Sequence, residues 1–249
     1  MSKIHLIREP ARRLIQRFGY EIHRRDPLPI GRCPFRDVGT IFTDENEIVT
    51  FDVGANAGQT TEKLLDVHRP RIFVHAFEPG PSTFSVLKRN VGDRDRVTLC
   101  QCALGRESGQ IELHEYELLT LNSVLRPGED LPNRPVTSTS VEVKTVDGYC
   151  REHDIARIHL LKIDTQGFDL EVLRGAGDML DQSRIDAVLV EVNYVRLYDN
   201  QASPGEIMDF LIGYGMRPVC FYPVHLHQGQ GGWNDVLFVH QSRDLSRRG

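Results

Sequence analysis

No apolar run in the 249-residue sequence approaches the roughly 20 residues that a helix needs to cross a bilayer. An ordinary membrane-spanning helix is therefore not expected. The first 25 residues also lack the uninterrupted apolar core of a secretory leader, because His5, Arg8 and Glu9 break it. Cysteine is scarce and unpaired. Cys33, Cys100, Cys102, Cys150 and Cys220 are odd in number, with no C-x-x-C spacing and no Cys/His cluster. A disulfide framework and a zinc site are set aside, leaving buried free thiols in a cytoplasmic protein as the expectation. Positive charge is short too: the net charge of −5 argues against a nucleic-acid binder. Internal repeats and low-complexity tracts are missing, and Trp233 is the one tryptophan.

What remains is an ordinary soluble balance, 40% hydrophobic and 26% charged, in a length that suits one large α/β domain. Residues 1–25 stand apart. Seven lysines and arginines meet two glutamates there, and Ile7, Ala11, Leu14, Ile15 and Phe18 recur at helical spacing. That pattern predicts a basic amphipathic helix. Packed on the main domain it needs no further role, whereas as a free surface it suits peripheral contact with anionic lipid. A Pro/Gly-rich connector, RDPLPIGRCPF, follows. The expected division is 1–44 for helix and connector, 45–241 for the main domain and 242–249 for a basic tail.

Within the main domain, strand-like and helical runs alternate. Strands are predicted at 47–53, 71–79, 96–104, 157–164, 185–192, 216–222 and 234–240. Helices are predicted over Gln59–Val67, Ser82–Asn90, Val146–His153, Asp169–Gly175 and Pro204–Gly213. GQIELHEY, at 109–116, alternates as an antiparallel excursion, and TSVEVKTV, at 139–146, leads into a helix. Strands separated by helices mean βαβ units and a mostly parallel, doubly wound, Rossmann-like sheet. Ligands bind such sheets beyond the carboxyl ends of the strands. Those ends read Asp52-Val53-Gly54, Phe77-Glu78-Pro79, Gln101-Cys102-Ala103, Ile163-Asp164 and Glu191-Val192-Asn193. Acids and amides so regularly placed suit a hydroxyl-rich ligand.

The turn after the first strand discriminates between cofactors. A dinucleotide fingerprint counted from Gly54 needs glycine where Asn56 and Gln59 stand, and it fails at both. The pattern present is Asp52-Val53-Gly54-Ala55-Asn56-Ala57-Gly58. An acid there repels a pyrophosphate and suits an amino group or a sulfonium, while the glycines let backbone approach a flat nucleoside. Glu78, 24 positions beyond Gly54, is placed to accept both hydroxyls of a ribose. S-adenosylmethionine has these properties. The expected cofactor residues are Asp52, Gly54, Ala55, Asn56, Gly58, Thr60, Glu78, Pro79, Ala103 and Asp164.

FDVGANAGQTT, AFEPGPSTFSVLKRN, ALGRESGQIEL, LLTLNSVL, VDGYCREHDIARIHLLKIDTQGFDLEVLRGA and VLVEVNYVRLY occur in this order between about Ile48 and Phe238. Together they resemble the FkbM-type S-adenosylmethionine-dependent methyltransferases, KIDTQGFDLEVLRGA being the most specific part. The resemblance implies a seven-stranded Rossmann-like sheet with a reversed last strand. It also implies O-methylation of a sugar or natural product, here a glycosylated metabolite, glycolipid or polysaccharide precursor. The alternatives are an NAD-type dehydrogenase on a similar sheet and a non-catalytic nucleoside-binding scaffold.

A hydroxyl is a poor nucleophile while protonated, so the site needs a base or a cation. Asp164 is the first candidate, its other reading being a helix cap in competition with Thr165. Glu191 and Asn193 lie two apart on one strand face. With Asp164 they make an all-oxygen set suited to Mg²⁺. Some class I O-methyltransferases hold a metal with acids at these strand ends, but Glu-x-Asn departs from their adjacent acid pair, so a metal-free carboxylate base is preferred. His225 is a further base candidate, and His227 a substrate contact, both read as lying in a glycine-rich loop. Asn122 and Ser123 either orient a polyol or form a turn. Trp233 either stacks on a sugar face or packs in the core.

Overall fold

The parallel strands are short, apolar and rich in β-branched residues, and all but the edge strand Val97–Cys100 are largely buried, as that composition predicts. They are β1 (Ile48–Val53), β2 (Ile72–Phe77), β3 (Val97–Cys100), β7 (Ile158–Ile163) and β8 (Ile185–Asn193). All nine residues of β8 are buried. The computed structural model describes residues 30–68, 71–116, 122–128, 135–243 and 245. The basic helix expected at 1–25 and most of the 242–249 tail lie outside the described residues. The described residues belong to one compact unit that begins at Ile30.

The parallel strands run in the order β3-β2-β1-β7-β8, with Asp52 of β1 between Ala76 of β2 and Lys162 of β7. Beyond β8 comes β11 (Gln230–His240), antiparallel to it. Both β9 (Met216–Phe221) and β10 (His225–His227) pair antiparallel with β11. The doubly wound sheet with a reversed strand therefore forms as expected, and β10 adds an eighth, three-residue strand. Helices Pro34–Ile41, Gln59–His68 and Pro81–Val91 pack on one face, burying Ile41, Leu64, Leu87 and their neighbours. Helices Val146–Glu152, Asp169–Arg174, Gly177–Asp181 and Pro204–Gly213 cover the other through Tyr149, Leu173, Leu180 and Leu211.

Three local expectations change. The run 96–104 is not one strand: after β3 the chain bends at Gln101 and Cys102, and β4 (Ala103–Leu104) joins a separate sheet. There β6 (Thr137–Lys144) pairs parallel to β4 and antiparallel to β5 (Gly109–Glu115). The predicted connector holds helix Pro34–Ile41, started by Pro34 in its first turn. Val38, Ile41 and Phe42 are fully buried there, at about 1.5–3 kcal/mol each. That burial outweighs the loop signal of the prolines and glycine. Third, His225 and His227 are not in a loop but on β10.

Arg243 ties the end of the chain to the same helix. Its guanidinium lies 4.5 Å from the centroid of the Phe42 ring and donates to Ile41 O at 3.2 Å. It also reaches Asp186 Oδ2 at 3.4 Å, while Arg157 donates to both oxygens of that carboxylate at 2.8 and 2.9 Å.

Gly54 ends β1 with φ of +75°, and a Cβ there would lie 1.9 Å from Asp164 O. Gly58 also has positive φ, but its added Cβ would meet the Leu87 and Val91 side chains at 3.1 and 3.3 Å. Backbone cannot yield where side chains can. Gly54→Ala should therefore cost more than the about 1–3 kcal/mol expected of a strained φ alone, and Gly58→Ala distinctly less than Gly54→Ala. Urea unfolding of the two variants checks the order, and equal midpoints would contradict it.

Candidate functional site

The winding direction reverses between β1 and β7, and an open sheet leaves a crevice at such a point. A cavity of about 280 Å³ lies there. Gly54, Ala55, Asn56 and Thr60 line it from the turn and the start of helix Gln59–His68. Glu78 and Pro79 enter from the end of β2, Ala103 from β4, and Asp164 from the end of β7. Asn122 and Ser123 complete the wall. Ten of the sequence-predicted residues are thus brought together.

Glu78 is buried, and both its oxygens are held by backbone. Oε2 accepts from Asn56 N and Oε1 from Gly80 N, each at 3.0 Å. Asn56 stands at φ 49°, which aims its N–H at the carboxylate. Burial pushes the Glu78 carboxyl up to about 7, against the pull of the two N–H groups and of Lys162.

Asp164 follows β7, and about a third of its side chain is exposed. Gln166 Nε2 donates to its Oδ1 at 3.0 Å, and Tyr198 Oη donates in turn to Gln166 Oε1 at 3.2 Å. The turn beneath is set by buried Asp169. Its Oδ1 accepts from Thr165 N and Oγ1 at 2.9 and 3.0 Å, and its Oδ2 from Gly167 N at 3.1 Å. Thr165 therefore donates to Asp169 and caps nothing, and the helix that follows has no side-chain cap. Burial raises the Asp169 carboxyl to about 6.

Six predicted residues stand outside the cavity wall. Asp52 is fully buried below it: Oδ2 accepts from Thr61 Oγ1 at 2.7 Å, and Oδ1 faces Lys162 Nζ at 3.0 Å. Its charge is spent on lysine, not on a ligand. Gly58 serves the close approach of helix Pro81–Val91. Glu191 and Asn193 lie at the end of β8, where Asn193 Nδ2 donates to Glu191 Oε1 at 3.1 Å. Burial, and then the charges of Asp164 and Asp169, hold the Glu191 carboxyl well above the usual range. Among the described residues no three His, Cys, Asp or Glu side chains are grouped to hold a metal. Asp164 lines the cavity, whereas Glu191 and Asn193 are engaged with each other outside its wall.

His225 stacks on Trp233, ring centroids 5.7 Å apart at 18°, and His227 lies 6.5 Å from the same ring. The pair belongs to the β10–β11 hairpin, where His225 stands opposite Trp233. Neither histidine reaches the cavity wall, so the structure offers no support for His225 as the base. Asn122 and Ser123 do reach the wall, with their polar groups engaged inside it. Asn122 Oδ1 accepts from Tyr116 N at 2.9 Å, its Nδ2 donates to Thr83 Oγ1 at 3.2 Å, and Ser123 Oγ donates to Gln166 O at 2.9 Å. They shape the wall.

Lys162, Gln166 and Asp169 were missed in the sequence. Lys162 lines the cavity while almost wholly buried, with Nζ 3.3 Å from Gly54 O and 3.7 Å from Asp164 Oδ2. Burial works against its charge, but Asp52 and Asp164 outweigh that and raise its proton affinity. The signal was available: a strand repeats every two residues, so Lys162 and Asp164 share a face.

A sequence profile of the methyltransferase FkbM domain matches residues 52–218. The 31-O-demethyl-FK506 methyltransferase FkbM of Streptomyces tacrolimicus is 32% identical over 213 residues, covering 72% of this chain and 78% of the relative. The 2-O-methyltransferase NoeI of Sinorhizobium fredii is 28% identical over 176 residues, covering 66% of this chain and 70% of its own. The hexuronic acid methyltransferase AglP of Haloferax volcanii is 29% identical over 153 residues, covering 60% and 57%.

Proposed function

The chain belongs to the FkbM methyltransferase family, S-adenosylmethionine-dependent O-methyltransferases, and from that premise we propose that it methylates a hydroxyl of a sugar carried by a small-molecule or glycolipid acceptor. The observation that carries the cofactor part is Glu78. It is a buried carboxylate, fixed by two backbone N–H groups, on the wall of the cavity at the switch point. Such a group accepts two hydroxyls of a ribose with little reorganisation. The turn from Gly54 to Asn56 supplies backbone for close approach, and Ala55, Thr60, Pro79 and Ala103 supply the flat walls of a nucleoside site. S-adenosylmethionine, when bound, supplies an electrophilic methyl group on a sulfonium.

The acceptor end of the reaction falls to Asp164. Gln166 and Lys162 hold its carboxylate, which is partly exposed and lines the cavity. As the acceptor oxygen took the methyl carbon and the carbon–sulfur bond broke to leave a neutral thioether, its proton would pass to Asp164, which would remove charge that would otherwise build on oxygen. Asn122 and Ser123 hold another part of the cavity wall. A sugar acceptor is supported by the relative that acts on a hexuronic acid and by the polar strand ends. In this reading the base is a carboxylate and no metal takes part. The reading also places the reaction in the cytoplasm, where five free thiols stay reduced.

Two outcomes test this. Glu78 accepts ribose hydroxyls best when ionised, and burial pushes its carboxyl up to about 7. Affinity for adenosylhomocysteine should therefore fall as the pH drops below about 7, and Glu78→Gln should remove that dependence along with much of the affinity. Calorimetry from pH 5.5 to 8.5 reads both, and a pH-independent affinity in the wild type would remove Glu78 from the ribose site.

Asp164→Asn should leave adenosylhomocysteine affinity nearly intact and lower turnover by roughly 10²–10⁴-fold. Radiolabelled methyl transfer to a panel of uronic acid and neutral glycosides measures the loss. EDTA should leave wild-type turnover unchanged in the same assay. Full inhibition reversed by added Mg²⁺ would overturn the metal-free mechanism.

A further inference from the structure

The Lys162 side chain touches both halves of the site. It stands opposite Asp52 across the β1–β7 seam, on the same face as Asp164. Its ammonium lies 3.0 Å from Asp52 Oδ1, 3.3 Å from Gly54 O and 3.7 Å from Asp164 Oδ2. Asp52 is itself pinned by Thr61 on helix Gln59–His68. The first contact anchors the lysine, the second holds the turn that shapes the nucleoside end, and the third meets the carboxylate at the acceptor end.

We propose that Lys162 is a positioning residue for methyl transfer, its ammonium fixing the Asp164 carboxylate, ionised, at a set distance from the Gly54 turn. The inference rests on the reading of Asp164 as the group that takes the hydroxyl proton. A lysine that only balanced Asp52 would need neither of the other two contacts. The charges around Asp164 make the need plain. Glu191 on β8, Asp235 on β11 and Asp169 on the following helix all carry carboxyls that interact with it, and Asp52 lies behind Lys162 on β1. Lys63 faces Asp235 from helix Gln59–His68. Without the lysine, Asp164 would sit among acids and hold its proton to higher pH, which would disable a base.

The test follows the Asp164 carboxyl directly and needs no acceptor. Aspartate side chains are labelled with ¹³C, the Asp164 signal is assigned by its loss in Asp164→Asn, and its midpoint is read by NMR titration. The pair to compare is Asp52→Asn and Asp52→Asn/Lys162→Met, which differ only in the lysine and leave no buried carboxylate orphaned. The midpoint should lie about one pH unit or more higher in the double variant, and an unchanged midpoint would overturn the inference. Should the double variant fail to fold, the same contact is read from the other side. The Lys162 ¹⁵Nζ resonance should move between wild type and Asp164→Asn, a partly exposed position, and a resonance that stays put would overturn it. Failure here leaves Asp164→Asn inactive, whereas failure of the parent reading leaves that variant active, so the two are distinguishable.

Discussion

A buried ion pair between Asp52 and Lys162 joins the two strands between which the cavity opens. The pair sits where the chain's winding changes direction, with β2 and β3 laid down on one side and β8 and β11 on the other. Removing one partner of such a pair costs about 3–5 kcal/mol, because the survivor is left charged and dry. Here the loss would also be geometric. Gly54 O and the Asp164 carboxylate both take their positions from the lysine. The collision that any Cβ at position 54 would make with Asp164 O says how closely the two strand ends approach.

Around that pair the carboxyl end of the sheet is acidic, and burial sets what each acid can do. Glu78 is raised to about 7 and Asp169 to about 6, and Glu191 is held well above its usual range. Asp169 is spent on the turn that follows β7, and Glu191 is engaged with Asn193. Asp164 differs in being partly exposed and in the cavity wall. Such a site repels a pyrophosphate and favours a ligand with positive charge. Asp52, from which the sequence suggests the same conclusion, is fully buried and faces Lys162.

The central sheet was legible because its strands are short apolar runs separated by helical patterns, which leaves few topologies open. Glu78 was legible for a related reason: one βαβ step fixes the distance from the glycine turn to the end of the next strand. Other features turned on tertiary contacts. Helix Pro34–Ile41 forms in a stretch whose prolines and glycine read as loop, because Val38, Ile41 and Phe42 find a face to bury against. The β4-β6-β5 sheet takes two residues from what reads as the tail of β3. A lysine inside an apolar strand carries no meaning until its partners are known, and Asp52 is 110 residues away in sequence. His225 and His227 were placed in a loop because glycines surround them, yet they pair with Gln230 and Trp233.

The most direct test of the account is a crystal structure of the chain with adenosylhomocysteine. Its prediction is density in the cavity between β1 and β7, with both ribose hydroxyls within hydrogen-bond distance of Glu78 and the sulfur directed toward Asp164. A nucleoside bound elsewhere, or bound there with its ribose turned away from Glu78, would contradict it.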